Sequence, residues 1–394
     1  MKIGVISTLN GVSWGGSEEL WATMVEEALK DHQDVAISIC HEASIPLKFS
    51  EIRQTHVRVF RRRPLLWRRV ENVIAKIASP FREIFRWKPD VVCISECGTY
   101  ESAHFEELLD FLSSAAIPYV VVCQFNSDSS GIGNRALAKD FFERAFRVAF
   151  VSRTNLKSVE RQIAHTLTNA IVLQNPVNLS DLSAVPYSPS SRRNIANVAR
   201  LSARHKGQDI LLEILSSPLW RSRQWRLRFY GGGRDRDYLE ALARHCAIAD
   251  NVEFCGQVND IRSIWEANHL LILPSRAEGT PLALVEAMLC GRPAVVTDVG
   301  GNAEWIEDGK TGFVAEAPTA KSFGRALERA WLARGEWEKM GIEARSKALM
   351  KFDKSAGKSL LKVLLDASYA YRPNMLSLES GVLTDGINGV RGFL

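Results

Sequence analysis

Two carboxylates, Glu278 and Glu286, stand eight positions apart directly after the apolar run Leu270-Leu271-Ile272-Leu273-Pro274. Pro281 suits the first turn of a helix, so Glu278 is expected in the loop at a strand's carboxyl end and Glu286 on about the second helical turn. Glu286 is the only charged residue between Pro281 and Arg292, on an apolar stretch whose burial would make an unpaired carboxylate costly. Vicinal ribose hydroxyls would satisfy its two oxygens, and so would an internal Arg or Lys. Glu278, beside the small Gly279 and Thr280, is either an acceptor for sugar hydroxyls or a solvated loop acid. The backbone amides around Leu282 and Ala283 open the helix, where free N–H groups and the helix dipole attract a diphosphate.

Other segments carry compatible chemistry. Arg200 follows an apolar run, and Lys206-Gly207 comes six residues later at a helix start, a spacing that can clamp phosphate oxygens from two sides or simply be a solvated basic surface. Gly15 and Gly16 sit in a turn between a strand and a helix, where backbone can approach a phosphate. Main chain around Gln257 and Val258, after Val252-Glu253-Phe254-Cys255-Gly256, can read a base edge. Two doubly wound sheets facing each other would bring these segments to one cleft, because ligands bind at the carboxyl ends of such strands.

The chain of 394 residues exceeds what one core usually serves. Short β-branched runs alternate with helical-period segments along nearly all of it, the pattern of parallel sheets covered on both faces. In the first half the expected strands are Ile3–Ser7, Val35–Cys40, Val91–Ser95, Tyr119–Cys123, Val148–Val151 and Ala170–Leu173. In the second they are Asn194–Ala199, Leu227–Tyr230, Val252–Phe254, Leu270–Leu273, Ala294–Val296 and Gly312–Val314. The Ser/Pro/Asn-rich stretch between them breaks the rhythm. The division is therefore 1–178 for a first Rossmann-like domain, 179–193 for a linker and 194–350 for a second such domain. A helix over 351–371 is expected to pack back on the first domain, with a loosely ordered tail over 372–394.

These motifs together resemble the retaining glycosyltransferases of GT-B fold, specifically glycosyltransferase family 4, over about Ile3 to Leu349. Glu278 and Glu286 match its E-x7-E motif, and Asn197-Val198-Ala199-Arg200 with Lys206-Gly207 looks like its strand, Arg and Lys-Gly segment. The resemblance implies that Glu278 contacts the donor sugar, Glu286 the nucleotide ribose, and Arg200 and Lys206 the diphosphate, with Glu278, Arg200 and Lys206 catalytic. It places Gly15, Gly16, Gln257, Val258, Gly279, Thr280, Leu282 and Ala283 around the donor. Many members have a His after the strand that here reads Tyr119–Cys123; this chain has Gln124-Phe125-Asn126, so an amide of Gln124 or Asn126 takes any sugar or acceptor contact there. The implied activity is metal-independent, retaining transfer of a sugar from a nucleotide-sugar, without a cofactor, to a glycan or lipid-linked acceptor in cell-surface polysaccharide or glycolipid synthesis. The alternatives are a nucleotide-sugar 2-epimerase and a GT-B protein that binds sugar nucleotide or glycan without turnover.

Composition is that of an ordinary globular protein, with 46% hydrophobic and 24% charged residues, which excludes extensive disorder. No run approaches the roughly 20 apolar residues of a membrane-spanning helix, and no secretory signal is visible, so a cytoplasmic location is expected. The seven cysteines are scattered and read as buried thiols rather than a zinc site. The net charge of +5 hides a local excess, since Arg53–Lys88 holds eleven Lys/Arg against Glu71 and Glu83. Within it Leu66, Val70, Val73, Ile74 and Ile77 share one face at helical spacing, a basic amphipathic helix that either packs on the first sheet or meets an anionic membrane surface. Nucleic acid is not expected as a partner, because no recognition motif accompanies the charge.

Overall fold

A computed structural model describes residues 1–10, 14–40, 57–62, 80–127, 131–188 and 191–381. Thirteen strands among them form two sheets. The first contains β1 (Lys2–Ser7), β2 (Asp34–Cys40), β3 (Val57–Arg62), β4 (Val91–Glu96), β5 (Tyr119–Cys123), β6 (Arg147–Phe150) and β7 (Ala170–Val172), in the order β3-β2-β1-β4-β5-β6-β7. The second contains β8 (Arg193–Val198), β9 (Trp225–Tyr230), β10 (Val252–Gly256), β11 (Leu270–Leu273), β12 (Ala294–Thr297) and β13 (Gly312–Ala315), ordered β10-β9-β8-β11-β12-β13. Every pairing is parallel, so both are doubly wound Rossmann-like sheets, as the alternation requires.

Parallel strands covered on both faces must be apolar throughout, and the central strands comply. All four residues of β11 and all five of β5 are buried. The strand order reverses between β1 and β4 in one sheet and between β8 and β11 in the other, which opens a crevice at each switch point. Capping residues place the connections: Ser152 accepts from Asn155 N at 3.1 Å to start the helix Arg153–Ile163, and Asp260 does the same for Ile261–Ala267.

Two findings depart from the sequence reading. Val57–Arg62 is an edge strand, though its alternation of Val and Phe with Arg reads as part of a basic surface. The last helix, Ala356–Gly381, continues past the point where a loose tail was expected to begin. Its buried Leu360, Leu361 and Leu364 join a cluster with Leu20, Trp21, Met24 and Val25 of the helix Gly16–Lys30, so this helix packs on the first sheet's side. Leu66 to Ile77, the expected amphipathic helix, lies outside the described residues.

The chain crosses between the sheets twice, and the crossings hold each other. Gln174 Nε2 donates to Lys351 O and Asp353 N donates back to Gln174 Oε1, both at 2.8 Å.

Candidate functional site

The second domain's wall is assembled by a turn that only glycine can make. Gly207, at φ +64°, ends the short helix Ala203–Lys206 so close to the end of β11 that a Cβ would lie 2.0 Å from Pro274 O. Arg276 locks the arrangement: its amide donates to His205 O at 2.8 Å, and its guanidinium clasps both oxygens of Asp209 at 2.7 and 2.8 Å. This brings Lys206 over the loop that follows β11.

There Lys206 Nζ lies 2.7 Å from both oxygens of Glu278, and Ser275 Oγ donates to Oε1 at 2.7 Å. Glu278 is 4% exposed, so it is no solvated loop acid. The residue expected at the diphosphate and the one expected at the donor sugar thus form an ion pair. Arg200 is exposed on the same wall, and its guanidinium has no partner among the described residues. His205 feels the cluster: burial first, then Arg200, Arg204, Lys206 and Arg234, push its pKa below the usual imidazole value. The wall is therefore electropositive.

Glu286 sits on the helix Leu282–Leu289, buried to 3% exposure. Its partner is neither Arg nor Lys but the backbone amide of Asn178, at the end of the first domain, which donates to Oε1 at 3.0 Å. Burial raises its pKa to about 7, and Glu19 on the facing helix adds to the shift. Pro281 is the cap of this helix rather than its first residue, and the amides of Leu282 and Ala283 begin it. Gly16 lies against Leu282 from the first domain, with Gly15 as the cap of its own helix, so two helix N-termini approach across the cleft. Gln257 is exposed beyond β10, while Val258 packs on the second core.

The domains touch through backbone at Glu278-Gly279-Thr280. Asn126 and Glu278 form an isolated antiparallel bridge, and a Cβ on Gly279 would stand 2.0 Å from Gln124 O. Thr280 Oγ1 donates to Val151 O at 2.7 Å. Gln124 and Asn126, each 5% exposed, are thus brought against Glu278, and both Gln124 amide atoms and Asn126 Oδ1 lack hydrogen-bond partners among the described residues. Such buried, unpaired polar atoms are costly unless something else pairs them.

Sequence reasoning missed the first domain's acids. Glu18 is buried against Ser7 Oγ at 2.7 Å, and burial lifts its pKa to about 7. Glu96 is fully buried at the end of β4, where Ser102 N donates to it at 2.9 Å, and it too rises to about 7. Glu101 accepts from Thr8 Oγ1, and Arg62, at the end of β3, donates to Ser7 O with its guanidinium over the Phe81 ring. Glu96 and Arg62 stand at strand ends, which was the available signal for those two. Among the described residues no group of three or more His, Cys, Asp or Glu could hold a metal ion, and no helix is long and apolar enough to cross a membrane.

Residues 192–332 match the family described as Glycosyl transferases group 1, which takes in most of the second domain. An uncharacterized glycosyltransferase of Haemophilus influenzae is 29% identical over 161 residues, 41% of this chain and 45% of that protein. The O-antigen biosynthesis glycosyltransferase WbnH of Escherichia coli is 30% identical over 149 residues, 38% of this chain and 42% of its own length. The chain thus spans less than half the length of these curated relatives. Among solved structures, Anabaena HepE in complex with UDP and glucose superposes with a TM-score of 0.72 at 20% identity, over 92% of this chain and 98% of that one. The fold is shared along essentially the whole molecule.

Proposed function

We propose that the protein is a retaining glycosyltransferase that moves a sugar from a nucleoside-diphosphate donor, held mainly by the second domain, to a glycan or lipid-linked acceptor met by the first. The observation that carries this reading is the cleft itself. A buried carboxylate, Glu278, is paired with Lys206 near an exposed arginine, Arg200, two helix N-termini, and amides of the opposite domain that have no hydrogen-bond partner among the described residues. The cations suit a diphosphate, and the carboxylate with the amides suits sugar hydroxyls. The likeness to a transferase family over residues 192–332 supports the same reading, and the HepE complex with UDP and glucose makes a uridine nucleotide the first donor to try.

In this reading Lys206 leaves Glu278 when the donor enters. Lys206 and Arg200, with the amides of Leu282 and Ala283, neutralise the diphosphate, so no metal is needed. Glu286 exchanges the Asn178 amide for ribose hydroxyls, and Glu278 receives hydroxyls of the sugar. The acceptor oxygen bonds to the anomeric carbon from the face the diphosphate leaves, and its proton passes to a leaving phosphate oxygen. Gln124 can hold the sugar but cannot take that proton, and this path asks for no protein base.

A thermal-shift screen against UDP-, GDP-, ADP- and dTDP-sugars tests the donor, since a ligand at about 100 times its Kd stabilises by about 2.7 kcal/mol. Transfer should survive EDTA and retain the donor's anomeric configuration; an NMR coupling constant showing an inverted product would overturn the mechanism. The basic stretch is proposed as a contact to anionic lipid in the synthesis of a cell-surface glycan. Arg62 is committed to Ser7 and Phe81, and Arg61 is exposed. Unchanged sedimentation with anionic liposomes after Arg61→Glu and Arg63→Glu would remove that contact.

A further inference from the structure

The hydrogen bonds around Asn126 have a direction that starts at a group unable to reverse. Ser127 O can only accept, and it receives Gln162 Nε2 at 3.0 Å. That fixes the Gln162 amide, so its Oε1 faces the other way, where it accepts from Tyr100 OH at 2.6 Å and from Asn126 Nδ2 at 3.1 Å. An oxygen in that place selects the nitrogen of Asn126. The remaining branch, Oδ1, is turned away from Gln162, is buried and has no partner among the described residues. Asn126 is itself bridged through its backbone to Glu278.

The scaffold behind this relay is rigid. Gln162 occupies the penultimate position of the helix Arg153–Ile163, and its carbonyl receives Arg135 Nε at 3.1 Å. Tyr100 is fully buried in the left-handed region, at φ +71°, and its amide points to Glu96 Oε2 at 3.3 Å. A bulky residue held at such a φ requires surroundings that over-determine it.

We infer that Gln162, with Tyr100, is a positioning residue that fixes the Asn126 amide so that it presents an acceptor oxygen, selecting a donor sugar that offers a hydroxyl beside Glu278. The inference rests on the transferase reading and specifies its sugar subsite. If Gln162 could not accept, the Asn126 amide would rotate freely, offering nitrogen or oxygen alike, and the preference for a hydroxyl donor at that position would disappear.

Calorimetry on the full chain tests this with UDP-glucose, UDP-galactose and UDP-N-acetylglucosamine, taking the tightest binder against UDP as the sugar-free control. Gln162→Leu should weaken that UDP-sugar about tenfold while UDP changes less than about twofold. Gln162→Glu keeps an acceptor for Asn126 and Tyr100 but loses the donor to Ser127 O, so it should recover only part of the UDP-sugar affinity that Gln162→Leu loses. In an Asn126→Ala background, Gln162→Leu should have no further effect. Equal weakening of UDP and UDP-sugar, unchanged UDP-sugar affinity, or an undiminished effect in the Asn126→Ala background would overturn the inference while leaving the transferase reading in place. A wild-type chain that binds neither these compounds nor other nucleoside diphosphates in the thermal-shift screen would remove both.

Discussion

The two walls of the cleft solve opposite electrostatic problems. On the second domain the charges are displayed: Arg200 is exposed, Lys206 is paired with Glu278, and His205 is depressed by four neighbouring cations as well as by burial. On the first domain the acids are hidden, and burial lifts Glu18 and Glu96 to about 7, so much of their charge is removed near neutrality. One wall displays positive charge, and the other buries acids that are partly neutral near pH 7 beside the Arg62 guanidinium. A donor that carries its diphosphate at one end and neutral hydroxyls at the other fits between walls built this way.

The contrast has meaning only if the walls meet at Glu278, and Gly279 is what lets them. A methyl group there would sit 2.0 Å from Gln124 O and 2.9 Å from Val151 Cγ2. Gly279→Ala must therefore push backbone of one domain from backbone of the other, and misplacing reacting groups by about 1 Å costs on the order of 100-fold in rate. We expect at least that loss in kcat/KM, with both domains still folded by circular dichroism. Near-normal turnover would show that the walls act separately.

Lys206→Ala is the next largest perturbation. It removes a charge-assisted contact to the diphosphate, about 2 to 3 kcal/mol in kcat/KM for the donor. It also strands Glu278, which retains Ser275 Oγ as its side-chain partner. Unchanged kinetics at subsaturating donor would mean that the Lys206–Glu278 pair is structural and the positive wall lies elsewhere.

How much of this was legible in the sequence follows from where the signal is stored. Glu278, Glu286, Arg200 and Lys206 lie in contiguous segments whose strand and helix periods place them, whereas the close contact of Gly207 with Pro274 O is seen only in the fold. The first wall is different. Tyr100, Asn126 and Gln162 come from three separate elements, and Gln162 lies in a polar helix where no period distinguishes it from Arg161. The edge strand Val57–Arg62 was hidden for a related reason: Arg62 has the composition of a surface and the position of a cleft residue. A single carboxylate such as Glu286 declares that it needs a partner, but a backbone amide can supply it as well as a side chain, and only the fold brings Asn178 there.

Glu286 gives a prediction of intermediate size and of opposite sign for folding and for binding. Its folded pKa, about 7, lies above the ordinary 4.5, so the neutral form is the one the fold favours. That contribution to stability is complete below the unfolded value and is lost as pH rises through about 7. Glu18 and Glu96 behave alike, so acidification from pH 8 to 6 should raise the melting temperature through these groups. Binding should run the other way, because ribose hydroxyls need the ionised acceptor. Glu286→Gln should weaken UDP and UDP-sugar equally, by about 1 kcal/mol at pH 8, and flatten the dependence of UDP affinity between pH 6 and 8. Glu278→Gln should weaken the sugar nucleotide while sparing UDP. Calorimetry showing equal losses for both ligands in both variants would dissolve the division between the two glutamates.

The smallest effect is expected where the domains touch in water rather than in the cleft. Thr154 N and Oγ1 both donate to Glu304 Oε1, at 2.9 and 3.0 Å, in an exposed setting. Water competes for all three groups, so the net contribution of such contacts stays near or below about 1 kcal/mol. Thr280 Oγ1 makes a similar crossing to Val151 O, but it is buried, and deleting the hydroxyl leaves that carbonyl without this donor. Glu304→Ala should therefore change kcat/KM by less than about threefold, while Thr280→Val, of nearly the same shape, should cost several times more through an unsatisfied buried carbonyl. Measured side by side on one donor, the two variants ask whether the walls are aligned by buried contacts around Glu278 or by the rim. A larger loss from Glu304→Ala would move the alignment to the rim and make the closure of the cleft sensitive to solvent and salt.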